Sequence, residues 1–342
     1  MESGIISCGV YIPKLRIKRE EYQRVWGYFS PRLVEEKSVA DFDEDPITMG
    51  VEAASNALRN ATVEASAIEA VYFASTSPPY AEKQNASTIA TALGCRNNTA
   101  TLDVTSSTRS GSSALLSCLD FVGSGRGTRG LVIAADCPVG DPTAPIEHQL
   151  GAGAAAVIVG RERLGATVDG SASVVSEGLG ERFRRDGSAF VTALDLGTYH
   201  DAILDHAVSS CMKSIMEKLG RTSRDYDWLV LQGLDGAKSL EISKRLGFEE
   251  SKITPSLVST KIGDVGAASS ILALSKLLEL AIPRQRGILC SYGPGAGAEA
   301  FSFAVEREMK PIAGAGYEDY LARKEYIDYA TYLKLRRLLA KS

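Results

Sequence analysis

Two hydrophobic periods take turns along the chain. Residues 45–61, DPITMGVEAASNALRNA, set Ile47, Val51, Ala54 and Leu58 on one face at helical spacing, which predicts an amphipathic helix. Residues 70–75, AVYFAS, form a short apolar run rich in strand-favouring side chains and predict a strand. A helix over ASTIATALG (86–94), a strand over TATLDV (99–104) and a helix from Ser110 follow, and GLVIAAD (130–136) and AAAVIVG (154–160) read as strands. The order then returns. Helix YHDAILDHAVSSCMKSIMEKLG (199–220) leads to strand DWLVLQG (227–233) and helix AKSLEISKRLGF (237–248). A short strand PSLVS (255–259), helix GAASSILALSKLLELA (266–281) and strands GILCSYG (287–293) and AFSFAVE (300–306) complete it.

Alternation of strands and helices predicts α/β layers, and the repeated order predicts a duplicated fold. The third helix of each set begins with small residues, SGSSALLS at 110–117 and GAASSILALS at 266–275, which allow two backbones to approach closely. The predicted division is 1–165, 166–308 and a C-terminal extension, 309–342. The stretches 138–150 and 175–195 read as polar, Gly-containing loops too short to link independent modules. The extension carries Tyr317, Tyr320, Tyr326, Tyr329 and Tyr332 before a basic end of Lys334, Arg336, Arg337 and Lys341. It reads either as a cover over its own domain or as a partner contact, since Tyr and Arg favour interface cores.

Composition narrows the function classes. At 342 residues, with 44% hydrophobic and 23% charged residues, the chain suits one large or two fused globular units. A formal net charge of -4 gives no electrostatic case for nucleic acid. No apolar run reaches the ~20 residues of a membrane span, and the start MESGIISCGVYIP lacks signal-peptide pattern, so no membrane partner and a cytoplasmic location are expected. Cys8, Cys95, Cys118, Cys137, Cys211 and Cys290 are scattered without C-x-x-C spacing and read as reduced thiols. No His/Cys cluster has ligand spacing, so no metal is expected.

The stretch TLDVTSSTRSGSSALLSCLDF (101–121) carries the candidate chemistry: a buried strand, a hydroxyl-crowded turn (Thr105, Ser106, Ser107, Thr108) and a helix start. A helix N-terminus is electropositive and suits an activated nucleophile, yet this turn has no cysteine, histidine or carboxylate.

The duplicated order resembles the thiolase superfamily, whose fold is a five-layer αβαβα arrangement. GVYIPKLRIKREEYQRVWG (9–27), SPPYAEKQNASTIATALG (77–94), SYGPGAGAEAF (291–301) and EYIDYATYLKLR (325–336) narrow the match. Together they resemble the archaeal-type 3-hydroxy-3-methylglutaryl-CoA synthases and their bacterial relatives, within the β-ketoacyl-ACP synthase III-like family. The resemblance spans nearly the whole chain. It implies an enzyme joining an acyl thioester to a second CoA thioester with a cysteine, a histidine and a glutamate. Along DVTSSTRSG the cysteine position falls on Thr108 and the adjacent lysine position on Arg109; counting back from KRLGF puts the histidine position on Gln232. STSPPY puts the glutamate position on Thr76, and KIGDVG replaces a supporting amide with Asp264. The Gly-rich turn Gly293–Gly297, with Gly293, Gly295 and Gly297, persists.

A cysteine starts from a pKa of about 8.5 and is readily activated at a helix start, whereas a threonine needs an adjacent general base. Loss of a general acid or base costs ~10²- to 10⁴-fold, and an added carboxylate at 264 would oppose an oxyanion. No catalytic residue is therefore expected, with Arg109 and the glycines as a vestigial substrate site. Arg109 reads either as a partner for a CoA phosphate or as a fixed structural charge. His148, His200 and His206 read as structural or surface residues, and Cys137 as a loop or buried thiol.

The pattern of retained fold and lost chemistry is similar to the degenerate subunit of 2,4-diacetylphloroglucinol acetyltransferase complexes. That resemblance implies a non-catalytic homodimeric subunit joined to a catalytic thiolase and a small zinc-ribbon/OB-fold protein. No covalent cofactor is expected, and a coenzyme A thioester is the candidate ligand of the vestigial pocket. The alternative is an active acyltransferase using a hydroxyl nucleophile at Thr108 or a neighbouring serine.

Overall fold

The computed structural model describes residues 3–194, 196–232 and 235–339; Lys341 of the basic end lies outside them. The strands are β1 (Gly4–Tyr11), β2 (Leu15–Lys18), β3 (Glu36–Val39), β4 (Ala70–Ala74), β5 (Ala100–Val104), β6 (Arg129–Asp136) and β7 (Gly153–Gly160). Then come β8 (Ala166–Val174), β9 (Trp228–Gln232), β10 (Arg286–Gly293), β11 (Gly297–Val305) and β12 (Glu325–Tyr326). The helices are α1 (Arg19–Trp26), α2 (Pro46–Ala61), α3 (Asn85–Leu93), α4 (Ser110–Gly123), α5 (Thr198–Lys218) and α6 (Gly236–Arg245). They continue with α7 (Glu250–Ile253), α8 (Ser259–Ile262), α9 (Ala268–Leu280), α10 (Tyr317–Ala322) and α11 (Tyr329–Leu335).

Nine strands form one sheet in the order β5-β4-β6-β7-β1-β8-β11-β10-β9. Only Gly4↔Thr167 and Ile5↔Ala166 join β1 to β8, so the sheet is two half-sheets meeting at a corner. The order outward from that corner repeats: β1-β7-β6-β4 on one side, β8-β11-β10-β9 on the other. Helices α2 and α3 bury Ile47, Ala54, Leu58 and Ile89 against the first half-sheet. Helix α5 covers the second with Val208, Cys211, Met212 and Ile215, and α6 adds Ile242. Between the half-sheets lie α4 and α9, whose Leu115, Cys118, Ile271, Leu272 and Leu274 belong to one central core. The result is the five-layer α/β arrangement of the thiolase-like fold.

The small residues at the two central helix starts do what their size allows. A Cβ on Gly111 would stand 2.2 Å from the Ala267 carbonyl oxygen, so only glycine permits this crossing of α4 and α9. The strand expected at PSLVS is absent. Thr254–Ser256 is a 3-10 turn and Ser259–Ile262 a short helix, leaving the second half-sheet one strand short of the first. Pro255 lacks a ladder donor, and the Ser256 hydroxyl donates to Leu229 O at 2.8 Å in place of strand pairing.

A smaller sheet, β12-β2-β3, is built partly from the C-terminal extension. Tyr317, Tyr320, Tyr329 and Tyr332 are buried in their own domain, while Tyr326 is half exposed and donates to Glu36 at 2.8 Å. Tyr329 and Tyr332 pack with Leu15, Ile17 and Tyr22, and the extension thereby covers the first half. Within this layer Lys37 and Glu147 form a fully buried ion pair at 2.6 Å. Tyr22 donates to the same Glu147 oxygen at 3.1 Å and Tyr332 donates there too.

Candidate active-site cavity

Strand β5 ends at Val104 and α4 begins at Ser110, so the turn between them is delivered to the mouth of the central helical layer. It is a tense turn: Ser106 has φ +75°, a left-handed conformation that non-glycine residues adopt at a cost. The strand end of β10 approaches it closely. A Cβ on Gly293 would stand 2.0 Å from Ser107 Oγ, and Gly295 and Gly297 hold φ of +72° and +81° through the following turn. Gly293 is thus required by the turn it faces, and Gly295 and Gly297 by their left-handed backbone.

A cavity of about 610 Å³ opens between this turn and the segment 177–194. Thr76, Thr108 and Gly295 line it. Thr108 is buried and its Oγ1 donates to Tyr292 O at 3.2 Å. Thr76 donates from N at 2.8 Å and from Oγ1 at 2.9 Å to the carboxylate of Asp136. Gln232 does not line the cavity; it is buried at the end of β9, where Nε2 donates to Ser256 O at 3.3 Å. Arg109 sits at the start of α4 and donates from Nη1 to Ala296 O at 2.8 Å and Ala298 O at 3.4 Å, pinning the Gly-rich turn.

The hydroxyls that crowd the turn do not cap α4. The helix has no side-chain cap; Ser107 Oγ accepts only the Arg109 N–H, at 3.3 Å. Asp264 also differs from expectation. Its Oδ1 accepts from Gly266 N at 2.9 Å and Ser269 Oγ at 3.2 Å, and Arg182 donates to its other oxygen. A guanidinium therefore offsets the charge that was expected to face an oxyanion, and Asp264 is not among the lining residues.

Asp136, at the end of β6, is the residue sequence reasoning passed over. It is fully buried and accepts hydrogen bonds from Ser75 Oγ, Thr76 N and Oγ1, Ser77 N and Oγ, and Ala267 N. The first five donors belong to the turn after β4 and the last to the start of α9, so one carboxylate ties the two halves together behind the cavity. The signal was a lone acid closing the apolar run GLVIAAD. Arg182 and Arg184, also lining residues, lie in a stretch that patterning reads only as a polar loop.

The histidines and Cys137 stay outside this cavity. His148 is buried, stacked on Phe29, and its Nδ1 accepts from Ser30 N at 3.2 Å. His200 Nε2 contacts Leu179 O at 2.8 Å, and His206 is exposed on α5. Burial pushes the Cys137 thiol above its ordinary pKa, away from thiolate character. Among the described residues no group of three or more His, Cys, Asp or Glu is placed to hold a metal ion, and no helix is long and apolar enough to cross a membrane.

Comparison with known proteins fixes the lineage. The chain is 38% identical over 339 residues to the hydroxymethylglutaryl-CoA synthase of Thermococcus onnurineus, covering 98% of this chain and 96% of that protein. It is 34% identical over 343 residues to the enzyme of the same name from Methanopyrus kandleri, covering 98% and 97%. The chain belongs to the hydroxymethylglutaryl-CoA synthase family. Solved structures agree at the level of fold: MvaS in complex with 3-hydroxy-3-methylglutaryl coenzyme A superposes at a TM-score of 0.88, with 21% identity over 100% of this chain and 93% of that one. The 3-oxoacyl-[acyl-carrier-protein] synthase III of Aquifex aeolicus superposes at 0.80, with 18% identity over 88% and 99%. A scan against protein-family models matches none.

Proposed function

We propose that this member of the hydroxymethylglutaryl-CoA synthase family is a non-catalytic subunit, a scaffold that brings a catalytic thiolase together with a small zinc-ribbon/OB-fold protein. One observation carries the reading. The side chains at the positions where the family resemblance puts its cysteine, histidine and glutamate are all hydrogen-bonded into the fold and not to one another: Thr108 to Tyr292 O, Gln232 to Ser256 O, Thr76 to Asp136. Nucleophilic catalysis needs a nucleophile within hydrogen-bond reach of a base. Here the Thr108 hydroxyl proton is directed at a backbone carbonyl. Coenzyme A thioester remains the candidate occupant of the cavity, held there without chemistry.

The scaffold is a homodimer in this reading, with β5 as the contact. Among the described residues β5 ends the large sheet with one side unpaired, and its Leu102 is 46% exposed. An uncovered edge strand bearing a large apolar side chain is a ready template for pairing with a second copy across a twofold axis.

Co-expression with the genes beside its own, followed by affinity purification of this chain and mass spectrometry, tests the assignment. Recovery of a thiolase and a zinc-ribbon protein at fixed stoichiometry is the expected result. Recovery of this chain alone overturns the scaffold role.

A further inference from the structure

The segment 180–194 crosses the cavity as a two-stranded loop: Phe183 and Thr192 exchange N–H···O bonds of 2.8 Å, and Val191 N donates to Val139 O at 2.8 Å. It brings Arg182, Arg184 and Arg185 into the cavity wall facing the hydroxyl turn. We propose that these flap arginines, with Arg182 and Arg184 foremost, form a receptor for the oxyanion of a ligand, a phosphate or a carboxylate, in the cavity over α4. The inference rests on reading the cavity as a retained binding site and adds the chemistry of what it holds.

The guanidinium groups have unspent capacity. Arg182 is held on one side by Asp264, yet its Nη2 is buried with no hydrogen-bond partner among the described residues. A buried donor left unpaired is destabilising, and an acceptor arriving from a ligand removes that penalty. Among the described residues Arg184 donates only to neutral backbone acceptors, Thr76 O at 3.3 Å and Ser188 O at 3.2 Å. Among the described residues neither Arg184 nor Arg185 forms an ion pair with a carboxylate; Arg185 lies over the Phe183 ring.

The facing wall adds to the preference. Helix α4 spans 14 residues, presents its N-terminus there, and has neither a side-chain cap nor an acidic residue in its first turn. Its partial positive charge is thus uncompensated by its own sequence. Two carboxylates oppose. Glu181 is occupied by the Tyr292 hydroxyl, which donates to it at 2.6 Å, and Glu177 lies against Gly295. Hydroxyls of Thr105, Ser106 and Ser107 add hydrogen-bond donors for an anion on this wall, beside the apolar Leu179, Val191 and Leu194.

Calorimetric titration of the purified full chain at pH 7 with inorganic pyrophosphate, and separately with glutarate, tests the receptor. Saturable binding of at least one probe is expected, weakened about tenfold or more in R184Q and in R182Q. R59Q, on the outer helix α2, is expected to bind as the native chain does. Pyrophosphate as the tighter probe assigns the site to a coenzyme phosphate, and glutarate to an acyl carboxylate. R184Q removes no contact to a side chain, so it keeps the test sound if R182Q fails to fold. Absence of saturable binding by both probes, or affinity unchanged in R184Q, overturns the inference and leaves the scaffold role standing. Condensing activity in this chain alone would defeat the scaffold role and leave the anion receptor standing.

Discussion

Replacing Asp136 with alanine is expected to lower the unfolding free energy by about 3–5 kcal/mol, read from urea denaturation of the native chain and D136A side by side. The size follows from what is left behind. The native carboxylate is buried and accepts from backbone N–H groups of Thr76, Ser77 and Ala267 as well as three hydroxyls. The hydroxyls can rotate toward other acceptors, but the backbone donors cannot, and each unpaired donor costs about 1–3 kcal/mol. D136N keeps the shape and one acceptor oxygen while turning an NH₂ group toward donors, so it is expected to fall between the two. A loss below about 1 kcal/mol in D136A would show that water replaces the carboxylate and that it is not the tie between the halves.

The second large effect is expected at Lys37. K37M should cost about 3–5 kcal/mol, because it removes the buried amine that donates to both the carboxylate and the carbonyl of Glu147, each at 2.6 Å, hydrogen bonds that a neutral lysine would keep. Tyr22 and Tyr332 hydroxyls still donate to that carboxylate but do not replace the donor removed. In K37M/E147M both charges are gone, and most of the loss is expected to return, since well-packed apolar side chains replace a buried pair at little net cost. A double variant as unstable as K37M would contradict this.

The same lysine sets a pH signature. Burial pulls its pKa down from 10.5 to about 8 in the folded protein, against the raising influence of Glu147. Between those values the unfolded chain holds the proton and the folded chain does not. The unfolded state then binds more protons, so stability on account of Lys37 rises with pH from about 8 toward 10.5. That rise is expected in the native chain and absent from K37M.

Much of the architecture was legible from periodicity because long amphipathic segments bury one face wherever they lie. The α2 face named from spacing is the face packed on the first half-sheet, and the small residues at 110–117 and 266–275 do meet, at Gly111 and Ala267. PSLVS misled because a five-residue apolar run carries no periodicity to separate a strand from a turn, and its proline had already removed a ladder donor. Strands β2 and β3 went unnoticed because they are only four residues long and buried among charges that find partners far away. Lys37 reads as a surface residue until Glu147 is seen against it, 110 positions along the chain.

The site divides in the same way. The turn at 105–108 was found by composition, and the resemblance supplied its likeness to a nucleophile site. What surrounds it depends on long-range pairing that no local pattern encodes. Asp264 was read as a charge opposing an oxyanion, but Arg182, 82 residues away, offsets that charge. Counting from KRLGF puts Gln232 at a family position, and the fold buries it at the end of β9 on Ser256 O, outside the cavity lining. The flap that carries Arg182 and Arg184 was a polar loop to patterning alone, and only its pairing across Phe183 and Thr192 gives it a face.

The most direct test of the account is whether this chain does chemistry by itself. Purified native chain and T108A would each be incubated with acetyl-CoA and acetoacetyl-CoA, with condensation followed by loss of thioester absorbance and the peptide covering 101–121 weighed afterwards. The account predicts equal, background rates for the two proteins and no added acyl mass on that peptide. A native rate well above that of T108A, together with an acylated 101–121 peptide, would contradict it and make the hydroxyl turn a working nucleophile.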